Sequence, residues 1–239
     1  VFGLPIAPAL AEATDFRLTA FLAPSISSAA VIAGRTAGGS DPDVAAAGDA
    51  LVVAIADASA PRMEDEARAV AACHASATML AGAEATADAF LSNLGRHDLV
   101  HVACHCEFDP QFPMASRIKL ADRWVAAREL FAALRPGCVV VLAGCESGRT
   151  SDTLGEDRQG LVRALLVGGA SMVVASQWRL HDSAAAQLFP LLHRSFVERR
   201  SGASSPAAAM AGALSHAQRE SRSLPWHSWQ GLFAMGGLL

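Results

Sequence analysis

Short apolar runs alternate with amphipathic stretches along most of the chain. Leu51–Ala56, Leu99–Cys106, Cys138–Ala143 and Ser171–Ser176 are rich in valine and closed by turn residues. Such runs read as strands buried on both faces. Phe16–Ala23 alternates loosely and predicts a first strand, after which Ser25 caps a short helix and Gly34–Gly48 forms a loop. Helical composition covers Arg62–His74, with Glu64, Asp65 and Glu66 in the first turn where the macrodipole favours acids. Thr78–Leu80 predicts a short strand and Glu84–Leu94 a helix with Phe90, Leu91 and Leu94 on one side. Two prolines make Glu107–Ser116 a loop, and Ile118–Leu120 reads as an edge strand. A helix over Trp124–Leu134 stops at Pro136-Gly137.

Beyond the Cys138–Ala143 run the pattern predicts a polar loop over Glu146–Asp157 and a helix over Gln159–Val167. A long helix follows over Asp182–Arg200, with Pro190 expected to kink or break it. Another begins at Ser204 or Ser205, with Pro206 in its first position, and runs to about Arg219; Gly231–Met235 predicts a last strand. Strands alternating with helices predict an α/β fold, a mostly parallel sheet flanked by helices on both faces.

In open α/β sheets chemistry gathers outside the carboxyl ends of the strands. Cys145 stands where one apolar run turns, and His105 at the mouth of another. If those two strands are neighbours, a thiol and an imidazole meet across their tips. A free thiol is only partly ionised at neutral pH, and an imidazole that takes its proton makes it a nucleophile. Cys104, His105 and Cys106 do not read as a zinc site, because alternation sends 104 and 106 to one face and 105 to the other.

Composition narrows the classes. With 52% hydrophobic and 18% charged residues, 239 residues suffice for a large buried core. A net charge of -4 gives no basic footprint for nucleic acid, and no apolar run reaches the length of a membrane span. Five cysteines without a disulfide framework point to a reducing, cytoplasmic compartment. A chain that begins at Val1 is expected to be the C-terminal part of a longer protein. The abundance of alanine and the single lysine suggest a GC-rich genome.

Four ordered motifs together resemble the CHAT domain, a family grouped with the caspase and separase cysteine peptidases. They are His105 after an apolar strand, Leu142-Ala-Gly-Cys145-Glu-Ser-Gly148, Gly160–Ala170, and Val173–Asp182. The likeness extends upstream through Ala23-Pro24-Ser25 and Glu64–Ala67, and downstream to Trp226, Trp229, Phe233 and Gly236. The resemblance implies one caspase-like domain over residues 1–239, with His105 and Cys145 as the dyad and the backbone N–H groups of Cys145 and Cys106 holding the oxyanion. It also implies that Asp182, in a Trp-x-x-x-Asp segment like that of the separases, favours arginine or lysine before the cut bond. Asp182 fits equally as a helix N-cap. Glu146 and Asp157, flanking the mouth, are candidate substrate contacts. The chain departs from the family in having Cys106 where glycine usually follows the histidine, and Gly144 where a small alanine often precedes the cysteine.

Two functions follow. One is a cysteine endopeptidase acting on a protein partner in bacterial signalling, regulated by an upstream sensor, often tetratricopeptide repeats in this family, with no cofactor and no metal. The other is a catalytically weak module that binds or signals. A Rossmann-type nucleotide binder shares the strand pattern but lacks the Gly-x-Gly-x-x-Gly turn.

Overall fold

The computed structural model describes residues 49–145, 147–148, 151–152 and 158–236. The strand, helix and loop predicted before Asp49 lie outside the described residues, as do Glu146 and Asp157.

A six-stranded sheet forms the centre. Its strands are β1 (Asp49–Ala54), β2 (Ser76–Ala81), β3 (Leu99–Ala103), β7 (Val139–Leu142), β10 (Met172–Ser176) and β11 (Leu232–Gly236), in the order β11-β10-β7-β3-β1-β2. All neighbours run parallel except β10 and β11. Alternation along each buried strand divides its side chains between two cores. Val100, Val102, Val140 and Leu142 pack with α2 (Ala87–Leu94), α3 (Ala127–Ala133) and α4 (Leu161–Gly168). Leu99, Ala103, Val139, Val141 and Ala143 pack with α1 (Met63–Ala71), α5 (Asp182–Arg200) and α6 (Pro206–Glu220). Helices therefore cover both faces, as the apolar runs require.

Several departures from the sequence reading are local. β3 ends at Ala103, and Cys106–Glu107 forms β4 of a separate antiparallel sheet with β5 (Arg117–Lys119) and β6 (Trp124–Ala126). Trp124 is thus in a strand, pairing with Lys119, and Pro113 opens a single 3-10 turn inside the expected loop. In the polar stretch before α4, Ser151–Asp152 (β8) and Arg158–Gln159 (β9) pair antiparallel, so part of the predicted loop is a hairpin. α5 runs unbroken through Pro190. Trp226 is 59% exposed, unlike the core Trp229.

Candidate active site

Three adjacent strands deliver three reactive groups to one edge of the sheet. β3 and β7 pair with Val102 opposite Leu142, so His105 and Cys145 each follow three residues beyond a matched pair. β1 lies on the other side of β3, with Ala54 opposite Ala103 and the Ile55 N–H donating to the Ala103 carbonyl. Asp57 lies three residues beyond the end of β1. The order across the strand tips is Asp57, His105, Cys145. His105 and Cys145 line one cavity of about 490 Å³, walled by Met63, Ala103, Ala143 and Ala185. Those wall residues lie on the α1 and α5 side, so thiol and imidazole share a face of the sheet.

His105 Nε2 lies 3.0 Å from Asp57 Oδ2 and 3.3 Å from Ser59 Oγ. Asp57 Oδ1 accepts from the Ser59 hydroxyl at 2.6 Å, the Ser59 N–H at 2.8 Å and the Ala60 N–H at 3.2 Å. These bonds, the Ser59 hydroxyl foremost, hold the Asp57 carboxyl well below the usual carboxylate range, with His105 contributing. An ionised Asp57 receives the Nε2–H of His105, which leaves the lone pair of the neutral ring on Nδ1. Sequence alone assigns no group to orient the imidazole; the available signal is an acid directly after the buried Leu51–Ala56 run.

The turn that carries Cys145 is pinned from β10. Ser147 Oγ donates to the Leu142 carbonyl at 3.2 Å and accepts from the Ser176 N–H at 3.2 Å, and the Gly148 N–H donates to the Ser176 carbonyl at 2.8 Å. A Cβ on Gly148 would run into the Phe233 ring. Cys145 Sγ lies 3.7 Å from the Leu180 carbonyl. Cys106 faces Ile118 across β4 and β5, beside the bond from Lys119 N–H to the His105 carbonyl at 2.9 Å. That makes 106 and 118 a non-hydrogen-bonded pair, so the Cys106 N–H points away from β5.

Gly144 answers the departure at Cys106. A Cβ built on Gly144 would overlap the Cys106 sulfur and the Cys104 carbonyl oxygen. The thiol of Cys106 fills the space that a methyl side chain at position 144 would need. Burial, with Cys104 and Cys145 nearby, pushes the Cys106 thiol up, and Cys104 is pushed up to about 12.

Asp182 lines the cavity but caps no helix of its own. His181 is the N-cap of α5, and Asp182 Oδ2 accepts the N–H of Arg62 at 3.0 Å, at the start of α1. The carboxylate thus ties two helices together at a positive helix end. Among the described residues no group of three or more His, Cys, Asp or Glu is arranged to hold a metal ion.

Behind the cavity runs a buried chain of imidazoles absent from the sequence reading. Glu66 Oε1 is 3.0 Å from His101 Nε2, His101 Nδ1 is 3.1 Å from His193 Nε2, and His193 Nδ1 is 2.9 Å from His74 Nε2. His101 and His193 are 0% exposed and Glu66 2%. Burial pushes the Glu66 carboxyl up, lowers His74 to about 4 and drives His193 well below its ordinary value. In the unfolded chain both histidines take protons below about pH 6.5, so the unfolded state binds more protons and stability falls as pH drops through that window. Glu66, its carboxyl pushed up by burial, opposes part of that fall. Urea midpoints should therefore fall between about pH 6.5 and pH 5, and His193→Leu should flatten that profile.

The fold has known counterparts. The yeast (Saccharomyces cerevisiae) separase in its complex with securin is similar at 14% identity and a TM-score of 0.56, over 80% of this chain and 12% of that one. The Arg-specific cysteine proteinase gingipain R is similar at 12% identity and a TM-score of 0.57, over 80% of this chain and 46% of that one. The Porphyromonas gingivalis gingipain with its pro-domain is similar at 11% identity and a TM-score of 0.56, over 86% of this chain and 51% of that one. At these identities the likeness is one of fold, the caspase-like fold, and this chain spans at most about half the length of those proteins. No curated protein matches the sequence. The profile of the CHAT domain, however, matches residues 6–237, and the chain belongs to the CHAT domain family.

Proposed function

We propose that the chain is a cysteine endopeptidase that cleaves a protein partner after a basic residue. The observation that carries this reading is the alignment of Asp57, His105 and Cys145 on three neighbouring strand tips, the last two facing one cavity. In the first step the Cys145 thiol proton passes to His105 Nδ1 as Sγ attacks the scissile carbonyl. Asp57, accepting the Nε2–H, stabilises the imidazolium. The N–H groups of Cys145 and Cys106 hold the oxyanion. His105 then gives its proton to the leaving amine, and water releases the acyl group by the reverse sequence. Asp182 at the cavity supports a preference for arginine or lysine. An upstream region of the full-length protein regulates access.

Cleavage of an arginine- and lysine-containing peptide library tests the assignment. Cys145→Ala and His105→Ala should each lower turnover by roughly 10³-fold or more, and iodoacetamide should label Cys145 faster than Cys73. Unchanged turnover in Cys145→Ala would remove the nucleophile and the reading with it.

A further inference from the structure

Glu66 stands where the cavity meets the histidine chain. Glu66 is among the residues that line the cavity, and its carboxyl meets His101 at 3.0 Å. The cavity walls are apolar, which suits the stem of a long side chain, and the acids beside them suit a cationic head. Arg179 also borders this space, offsetting one acid. Ionisation of Glu66 adds a second carboxylate to this lining beside Asp182. His101, Asp182 and Cys104 are the titratable groups that act on Glu66; His101 and Arg200 act on His74, and His101 and His74 on His193.

With all three rings neutral, the chain of imidazoles has two proton arrangements. Each nitrogen-to-nitrogen contact needs one N–H and one lone pair. When Glu66 is protonated it donates to His101 Nε2, and all three rings carry their proton on Nδ1. When Glu66 is ionised it accepts from His101 Nε2–H, and all three rings carry their proton on Nε2.

We propose that Glu66 receives the cationic side chain of the substrate, and that its proton leaves the cavity along His101, His193 and His74. On arrival of a guanidinium the Glu66 O–H proton passes to His101 Nε2, and the His101 Nδ1 proton to His193 Nε2. The His193 Nδ1 proton passes to His74 Nε2, and the His74 Nδ1 proton to water. One proton is released, one carboxylate is formed beside one guanidinium, and three neutral imidazoles exchange tautomers. The proposal rests on the preference for a basic side chain given above, and it makes occupancy of the cavity legible at His74, beyond the C-terminal end of α1.

The test uses Cys145→Ala protein, which has no nucleophile, with acetyl-arginine amide as probe and acetyl-citrulline amide as its uncharged counterpart. Imidazole nitrogen shifts of His74, His101 and His193, followed by NMR at about pH 7, should move from Nδ1–H to Nε2–H on binding of the arginine probe and stay unmoved with citrulline. Glu66→Gln should bind the arginine probe about tenfold or more weakly and show no tautomer change. His193→Phe should still bind it, with His74 no longer responding. Tautomers unmoved in the bound protein, no binding of the arginine probe, or equal affinity in Glu66→Gln would each overturn the proposal. The two readings fail separately: arginine cleavage undiminished in Glu66→Gln removes the role of Glu66 and leaves the peptidase standing. A tautomer change in a chain that cleaves nothing does the reverse.

Discussion

Gly144→Ala is expected to abolish the proposed peptidase activity, and adding Cys106→Gly should restore most of it. The added methyl group would have to occupy the position of the Cys106 sulfur and press on the Cys104 carbonyl. Overpacking of this kind costs about 1–3 kcal/mol even where a site can relax. Here the relaxation would displace Cys145 on one side or the His105 turn on the other. A displacement of about 1 Å at a reacting pair costs on the order of 100-fold in rate, so kcat should fall at least that far. Removing the thiol vacates the space and frees the backbone after His105. Measured together, the two single variants and the double variant form a cycle with a large favourable coupling. A double variant as inactive as Gly144→Ala would identify the Cys104 carbonyl, rather than the thiol, as the obstacle.

The second large effect is expected at Asp57. Asp57→Asn preserves size and most of the turn with Ser59, but it removes the negative charge facing His105 Nε2. An amide can also present its NH₂ to the ring, which selects the tautomer with its proton on Nδ1, the wrong nitrogen for accepting one from Cys145. On the proposed mechanism kcat/KM should drop by roughly 10²- to 10⁴-fold, with the loss in kcat and KM little changed. Because Asp57 stays ionised far into the acid range, its own protonation should not set the acid limb of the wild-type profile. Ser59→Ala, which takes away the first of the bonds to Asp57, should produce a smaller loss, with the acid limb unmoved because the Ser59 N–H and His105 still hold Asp57 low. Equal rates for Asp57→Asn and wild type would show that the imidazole needs no such partner.

Strand positions were legible because β-branched runs bounded by turn residues have few other uses. Leu51–Ala56, Cys138–Ala143 and Ser171–Ser176 all fall in the sheet. β3 and β7 are neighbours, as a meeting of thiol and imidazole requires. What escaped the sequence depends on contacts distant along the chain. Asp57 reads as a turn residue until the sheet sets it beside His105. Glu66 reads as one of three acids in a first helical turn, yet it faces inward while Glu64 and Asp65 pair with Arg68 at the surface. The histidines at 74, 101 and 193 lie on unrelated segments, and no spacing connects them. Asp182 fitted an N-cap by type, but its carboxylate serves a helix that begins 120 residues earlier. Gly144 and Cys106 each read as an isolated departure, and only their shared volume shows them to be complementary.

Asp57 and His105 are separated by 48 residues of chain, and Cys145 comes later still, each at the end of a different parallel strand. Parallel pairing of this kind forms late in folding, because distant segments must be brought together before any contact rewards it. A nascent chain still being synthesised therefore carries all three reactive side chains without the means to use them. On the proposed function, the site is complete only once the last of these strands is in register.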